Sequence, residues 1–433
     1  MILLGFSYGM RAQTPGATPQ FNPMDSIDLQ QVVRQVLSTY PSILKAQEAI
    51  HAAEAGIGLA RSGYLPVIDA DAGYTRLGPV SELSVPGLGS FQIYPENNYN
   101  TALNVRETIY DFSKTARNIK LEESSKEISE RNVDLLKQKL TLLTSVSYYS
   151  LVYLQEALKI REVQLTTLKE HLDFVTRKKE TGSATQYEIL STQVRISIAE
   201  NQKVDVETAI KTQQAILNSL MGTPIGTKLS VKRTFTLVQP NISRDSLIPY
   251  AVKHRYEMVI ANLREKHSEL HLKTIKAQNN PVLSAFASGG WKNGFIPDLS
   301  VFTGNYAAGV GLHVPIFDAG RRKNNIDMAN ASINMSKQES EQTNREISTE
   351  VFQNDANLQA SLQKIRQSEL QVQQAEEALA LAKISFMSGS ITNLDLLDAE
   401  TAASESKVSL LKANIDYVID VVRLNISVGK SID

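Results

Sequence analysis

No cysteine occurs in the 433 residues, which excludes a disulfide scaffold, thiolate catalysis and thiolate-held zinc or iron–sulfur centres, and is compatible with an oxidising compartment. Aromatic residues make up only 6%, and the helix breakers Gly and Pro number 22 and 14. So little aromatic volume argues against several compact cores, and so few breakers leave room for long uninterrupted helices. Net charge is −1, from 45 basic and 46 acidic residues. The whole-chain field is therefore too weak to recruit nucleic acid or an acidic surface, and any charge-based function must be local. No run of 18 or more apolar residues occurs, so no transmembrane helix is encoded and an inner-membrane transporter is excluded.

What the chain does contain is a repeat. The segment from Glu107, ETIYDFSKTARNIK, returns from Val314 as VPIFDAGRRKNNID, 207 positions later. The same offset pairs Gly182-Ser183-Ala184-Thr185 with Gly389-Ser390-Ile391-Thr392, and Gly222 with Gly429. Upstream the offset is 215, matching YLPVIDA from Tyr64 to NNPVLSA from Asn279, so the first copy carries an eight-residue insertion characteristic of a surface loop. Each copy reads helix, strand, loop, strand, long helix, turn, helix. Val351, Leu358, Ile365, Val372, Leu379 and Phe386 form a heptad seam, echoed by Leu151, Leu158, Leu165 and Leu172. No Pro or Gly lies between Ser113 and Thr181, a span that would reach roughly 100 Å as a helix, and Gly182 and Gly389 fold each long helix back on a partner.

The expected organisation is a signal-peptide remnant and linker over 1–24, a first repeat over 25–222, an equatorial linker over 223–246, a second repeat over 247–429 and a tail over 430–433. The equatorial linker is expected to form a small belt with one or two short strands. Strands are expected at about 64–76, 99–111, 281–291 and 306–317. Ile68, Ala70, Ala72 and Tyr74 alternate with Asp69 and Asp71, while Tyr99, Leu103 and Val105 alternate with Asn100, Asn104 and Arg106. Runs of this length suit either a half-buried soluble sheet or tilted bilayer-crossing strands. Four strands in lipid cannot close a barrel, so three chains giving twelve strands is the smallest arrangement expected to leave a lumen. The segments 77–98 and 292–305 would then be the external loops.

These features resemble the TolC-like outer-membrane efflux proteins, over essentially the whole chain from Ser26 to Gly429. The sharpest element is the second tip, Gly389-Ser390-Ile391-Thr392-Asn393-Leu394-Asp395-Leu396-Leu397-Asp398, with a weaker copy at Gly182-Ser183-Ala184-Thr185-Gln186-Tyr187-Glu188. A further match is the (Ile/Val)-(Tyr/Phe)-Asp-x-(Gly/Ser) segment leading into each long helix. The resemblance implies a mainly α fold with a small transmembrane β part: a homotrimer whose twelve-stranded barrel continues into an α-helical barrel. It also implies an outer-membrane location with a periplasmic extension, a periplasmic adaptor (membrane fusion protein) gripping the tips at Gly182, Ser183, Thr185, Gly389, Ser390 and Thr392, and an inner-membrane pump reached through that adaptor.

By the same resemblance, Asp395 and Asp398, with Glu188 and Phe386, form the periplasmic constriction. Positions i and i+3 share a helix face, and a ring of such carboxylates would pass cations and raise some of their pKa values. Acidic residues at a helix N-terminus also simply favour the dipole. Where some relatives carry arginine and tyrosine, this chain has Ile391 and Phe386, and Ser191 stands opposite Asp398 in the first copy. The outward strand faces are expected to meet outer-membrane lipid, with Asp69, Asp71, Asn100, Asn104 and Arg106 lining the lumen. His267 and His271 have zinc-compatible spacing, but the glutamate of the protease signature is replaced by Ser268 and no third ligand is evident. Nor does any nucleophile–base set emerge. No catalytic residue, metal or cofactor is expected, and the protein is read as a passive export duct. A soluble periplasmic coiled-coil scaffold or adaptor is the alternative, separable by whether the protein needs detergent.

Overall fold

The computed structural model describes residues 26–87, 89–233 and 243–430. The expected signal remnant, the middle of the equatorial linker and most of the tail lie outside them. The chain divides into two compact units: Met1–Val36 with Thr144–Thr236 and Ile365–Val418, and Leu37–Leu143 with Leu237–Lys364 and Ile419–Asp433.

In chain order the elements are α1 (Leu29–Thr39), α2 (Pro41–Ser62), β1 (Val67–Arg76), β2 (Glu82–Val85), β3 (Gly89–Gln92), β4 (Asn97–Tyr110), α3 (Lys114–Glu180) and α4 (Gln186–Met221). After the linker follow a 3-10 turn (Arg244–Ser246), α5 (Leu247–His254), α6 (Tyr256–Gln278), β5 (Val282–Lys292), β6 (Thr303–His313), α7 (Arg321–Met387) and α8 (Asn393–Ser427). The long helices α3 and α7 are each 67 residues and stand at the 207 offset. The single helix read before each strand pair is in fact two. Tyr40 and Arg255, 215 apart, both adopt extended backbone and break it, the first ahead of Pro41 at the start of α2. The first external loop is not irregular either: β2 and β3 pair there as a small hairpin.

Four glycines end the repeat helices in the left-handed conformation, Gly182, Gly222, Gly389 and Gly429, with φ between 71° and 82°. Each is followed by an amide that reaches back to a carbonyl in the last turn, as Ser183 to Lys178 at 2.8 Å and Ser390 to Ser385 at 2.8 Å. This is the Schellman closure that a residue without Cβ permits.

The second unit holds a four-stranded antiparallel sheet in the order β1-β4-β5-β6. The two repeats meet in it through β4 and β5, where Gly290 passes so close to Thr101 that a Cβ would lie 1.8 Å from its carbonyl oxygen. In the same unit Ile43, Ala60, Ile260, Ala261 and Ala277 are buried along α2 and α6, and Arg255 pairs with Glu257 at 2.7 Å and with Glu350. In the first unit the heptad seam is buried or half-buried throughout its Leu151, Leu158, Leu165, Leu172 and Leu379, Phe386 positions.

The belt expected in the equatorial linker is, among the described residues, one parallel bridge between Ile27 and Val231. The reason lies in the helices, whose side chains take the linker's backbone groups. Tyr148 Oη lies 2.8 Å from the Lys232 carbonyl, Gln155 and Gln214 each donate to the Leu229 carbonyl at 2.9 Å, and Asn218 donates to Thr227 at 2.7 Å. Backbone satisfied in this way needs no second strand.

Candidate functional site

The register of the sheet sorts its side chains into two faces. One carries Ile68, Ala70, Ala72 and Tyr74 of β1 and, through their partners, Tyr99, Thr101, Leu103 and Val105 of β4, Ala285, Ala287 and Trp291 of β5, and Tyr306, Ala308, Val310 and Leu312 of β6. It is mostly apolar and largely exposed, with Thr101 and, opposite Ala285 near the helix end, the exposed Glu107 as its polar members. Its aromatic residues are set at the loop end, where Tyr74 and Tyr99 lie 5.1 Å apart between ring centroids. Tyr110, Phe112, Ile316 and Phe317 crowd the helix end. An aliphatic band between two aromatic rims is the pattern of a lipid-facing barrel wall.

The opposite face gathers Asp69, Asp71, Asn100, Asn104 and Arg106, with Ser284, Ser288, Lys292 and Asn305. Asn104 stands between the two carboxylates and donates to Asp69 at 3.0 Å and Asp71 at 2.6 Å. Arg106 and Asn100 are displaced one step to either side of this cluster on the same face. The outer edges of β1 and β6 have no strand partner among the described residues.

The motif entering each long helix has a local cause. Phe112 and Ser113, and Ala319 and Gly320, have positive φ, a left-handed pair that turns the chain from strand to helix. The preceding aspartate then caps the helix. Asp111 accepts from the Thr115 amide at 2.6 Å and Lys114 at 3.2 Å, and Asp318 from Arg322 at 2.8 Å and Gly320 at 3.1 Å. Burial pushes the Asp111 carboxyl up, but the hydrogen bonds from Thr115, Lys114 and Ser113 outweigh it and hold it below the usual range.

At the tips the expected turn residues Gly182, Ser183, Thr185, Gly389, Ser390 and Thr392 are all exposed. Thr185 and Glu188 form a reciprocal capping box on α4. Thr392 and Asp395 do the same on α8: the carboxylate accepts from the Thr392 amide at 2.9 Å and hydroxyl at 2.7 Å, and the Asp395 amide donates to that hydroxyl at 3.2 Å. The Thr392 hydroxyl and amide hold the Asp395 carboxyl below its ordinary range. The rise anticipated from carboxylate crowding is thus not what one chain gives Asp395, because its neighbours are donors. Asp398 is exposed and forms an ion pair with Arg195 of α4. Phe386 does not share that exposed face. It is 7% exposed, in an apolar cluster with Val175, Ile189 and Leu396, with Lys178 Nζ 4.9 Å from its ring centroid. Ile391 packs against the same cluster.

Pattern reading passed over three groups here, two of which tie the hairpins together. Asn393, 3% exposed at the first position of α8, is 2.6 Å from His171 Nε2 of α3 and donates towards Ser191, Thr192 and the Glu188 carbonyl of α4 at 3.2–3.4 Å. Arg161 makes a two-pronged pair with Glu405 at 2.8 and 3.1 Å. Glu400 is buried, one carboxyl oxygen has no hydrogen-bond partner, and burial pushes its pKa up against the pull of His171 and Lys383. Only Asn393 lies within a motif the sequence singles out, the second tip. Elsewhere, burial and then His271 lower the pKa of His267, and among the described residues no cluster of three His, Cys, Asp or Glu side chains could hold a metal ion.

Comparison with known proteins adds the following. The profile described as outer membrane efflux protein matches residues 32–223 and 247–430, leaving out the equatorial linker. The chain is 21% identical over 412 residues to outer membrane protein TolC of Salmonella enteritidis, covering 93% of this chain and 82% of that one. It is 24% identical over 312 residues to the proteases secretion protein PrtF of Dickeya chrysanthemi, covering 70% and 67%. The crystal structure of the outer membrane protein VceC from Vibrio cholerae superposes with a TM-score of 0.76 at 18% identity, over 94% of this chain and 97% of that one.

Proposed function

Since the chain belongs to the outer membrane efflux protein family and resides in the outer membrane as an efflux channel, we propose that it works as a homotrimeric passive exit duct. The observation that carries this reading is the sheet: four strands with one mostly apolar face, a polar face opposite, and two edges unpaired among the described residues. In lipid an unpaired edge costs several kcal/mol per unsatisfied backbone group. Joining β1 of one copy to β6 of the next removes every edge, and three copies give twelve strands. The apolar face then meets lipid, and Asp69, Asp71, Asn100, Asn104 and Arg106 line the lumen.

The helical hairpins form the periplasmic duct, and the exposed turns at Gly182, Ser183, Thr185, Gly389, Ser390 and Thr392 meet a periplasmic adaptor, through which an inner-membrane pump delivers cargo. Asp395 and Asp398 form the periplasmic constriction, with Glu188 beside them and Phe386 as the packed support beneath. Thr392 holds the Asp395 carboxyl in its charged form, and Arg195 forms an ion pair with Asp398. With Arg195 offsetting one of the two aspartates, the pair leaves one net negative charge per chain, a ring that favours cations. No chemistry is required of the chain.

The test is the mass of the detergent-solubilised protein by light scattering, with membrane fractionation of the cells it came from. A three-protomer outer-membrane particle is expected; a monomer that stays soluble without detergent overturns the reading.

A further inference from the structure

Helices α3 and α7 each carry basic residues just after a capping aspartate, Asp111 and Asp318. A helix N-terminus favours acidic side chains and disfavours basic ones, and the tip helices of this chain obey: α4 has Glu188 and α8 has Asp395 in the first turn. The first turns of α3 and α7 have no acidic residue. Instead α7 opens with Arg321, Arg322 and Lys323, all exposed, and α3 with Lys114. Among the described residues none of these four makes an ion pair. The nearby aspartates form no ion pair with them among the described residues. Asp318 and Asp111 are occupied by backbone amides of the same turns, and Asp327, the next acid along α7, forms no ion pair among the described residues.

Three residues before the basic triplet, across Asp318-Ala319-Gly320, stand two highly exposed large apolar residues, Ile316 at 94% and Phe317 at 89%. They continue the helix-end rim of the sheet, and sheet and triplet belong to the same unit. An apolar and aromatic pair followed within one turn by three unpaired cations is the order of groups found across a bilayer interface, from acyl chain to headgroup.

We propose that Arg321, Arg322 and Lys323, with Phe317 beside them, bind the headgroup of anionic phospholipid in the periplasmic leaflet of the outer membrane. The inference rests on the orientation given above, helices on the periplasmic side. Charge complementarity selects the anionic headgroup. The three cations are exposed and have no ion-pair partner among the described residues, so a surface that supplies negative charge complements them. The chain's overall charge of −1 gives no such attraction, which makes the effect local to this rim.

The test uses the full-length protein in nanodiscs of phosphatidylcholine, with or without phosphatidylglycerol, followed by native mass spectrometry of the lipids that stay bound. The wild type should retain phosphatidylglycerol over phosphatidylcholine, and raised salt should weaken the preference. Each basic residue at an anionic surface contributes about a fivefold preference. Neutralising Arg321→Gln, Arg322→Gln and Lys323→Gln together should therefore lower retention by at least about tenfold, while Arg321→Lys, Arg322→Lys and Lys323→Arg should keep it. Equal retention by wild type and neutral variant, or none by the wild type, overturns the proposal. Where the triple variant does not assemble, Arg322→Gln alone and the salt series on the wild type decide the question. Recovery of the wild type in the outer-membrane fraction is scored separately: its failure would count against the channel orientation, whereas lost lipid preference with intact fractionation counts against this site alone.

Discussion

Asn393 is the residue whose removal should be felt most at the tips. It is 3% exposed, and its carboxamide meets His171 Nε2 of α3 at 2.6 Å on one side and three oxygens of α4 on the other. Replacing it by Leu keeps the volume and removes both halves of the amide. The α4 side loses little, because Ser191 and Thr192 keep their own bonds to the Glu188 carbonyl at 3.0 and 2.8 Å and their contacts to Asn393 are long. The α3 side loses a short bond and leaves the imidazole of His171, 8% exposed, without a partner. An unsatisfied buried donor of this kind costs about 1–3 kcal/mol. Taking the middle of that range, opening of the first turns of α8 should become easier by roughly 30-fold.

Hydrogen exchange followed by mass spectrometry reads this directly. In Asn393→Leu, amides of the first turns of α8 and the facing part of α3 should exchange faster by that factor, while those of the sheet stay unchanged. The double variant His171→Leu with Asn393→Leu replaces both partners by apolar groups and should recover most of the loss. Two results would refute the reasoning: unchanged protection in the single variant, or a double variant as unprotected as the sum of the two singles.

Other consequences follow from the same contacts. Arg195→Gln frees Asp398 from its ion pair and should increase cation selectivity in planar-bilayer recordings, at a stability cost below about 1 kcal/mol because both groups are partly exposed. Asp395→Ala with Asp398→Ala should raise single-channel conductance and weaken block by polyvalent cations; unchanged conductance and block would remove the constriction from these residues. Ser113 has φ 71° at the position where the second repeat has Gly320 at 83°, so Ser113→Gly should stabilise the chain by about 1 kcal/mol in denaturant titrations. For Glu400, burial raises the folded-state pKa above the unfolded value. The folded state then holds the proton longer, so this group's contribution is intact at low pH and lost as pH rises through the folded pKa. Glu400→Gln should accordingly stabilise the protein by about 1 kcal/mol at neutral pH and by little in acid; a gain independent of pH would contradict the assignment. Tyr149, pushed up to about 12 by burial, should stay protonated in ultraviolet titration of the native protein where exposed tyrosines ionise near 10.

The division between what pattern could and could not reveal follows the range of the forces involved. Gly182, Gly389 and the aspartates at 111 and 318 were legible because each solves a backbone problem within a few residues, a left-handed closure or a cap, and the 207 offset shows each solution twice. The alternation of β1 and β4 was legible for the same reason, since period two is a property of one strand. Which edge stays open is not local: it depends on β4 meeting β5, a pairing between repeats that Gly290 permits by its close approach to Thr101. The tip carboxylates show the limit most clearly. Their i, i+3 spacing is visible in sequence, but the partners they bind are of two kinds. Thr392 is three residues from Asp395 and was readable as half of a capping box. Arg195 is 203 residues from Asp398, and His171 is 222 from Asn393. Those meetings exist only because two hairpins of equal length pack side by side with their turns in register. The repeat predicts equal lengths, but which polar residues then face one another depends on helix phase. A single residue of shift would turn Arg195 away from Asp398 by about 100°.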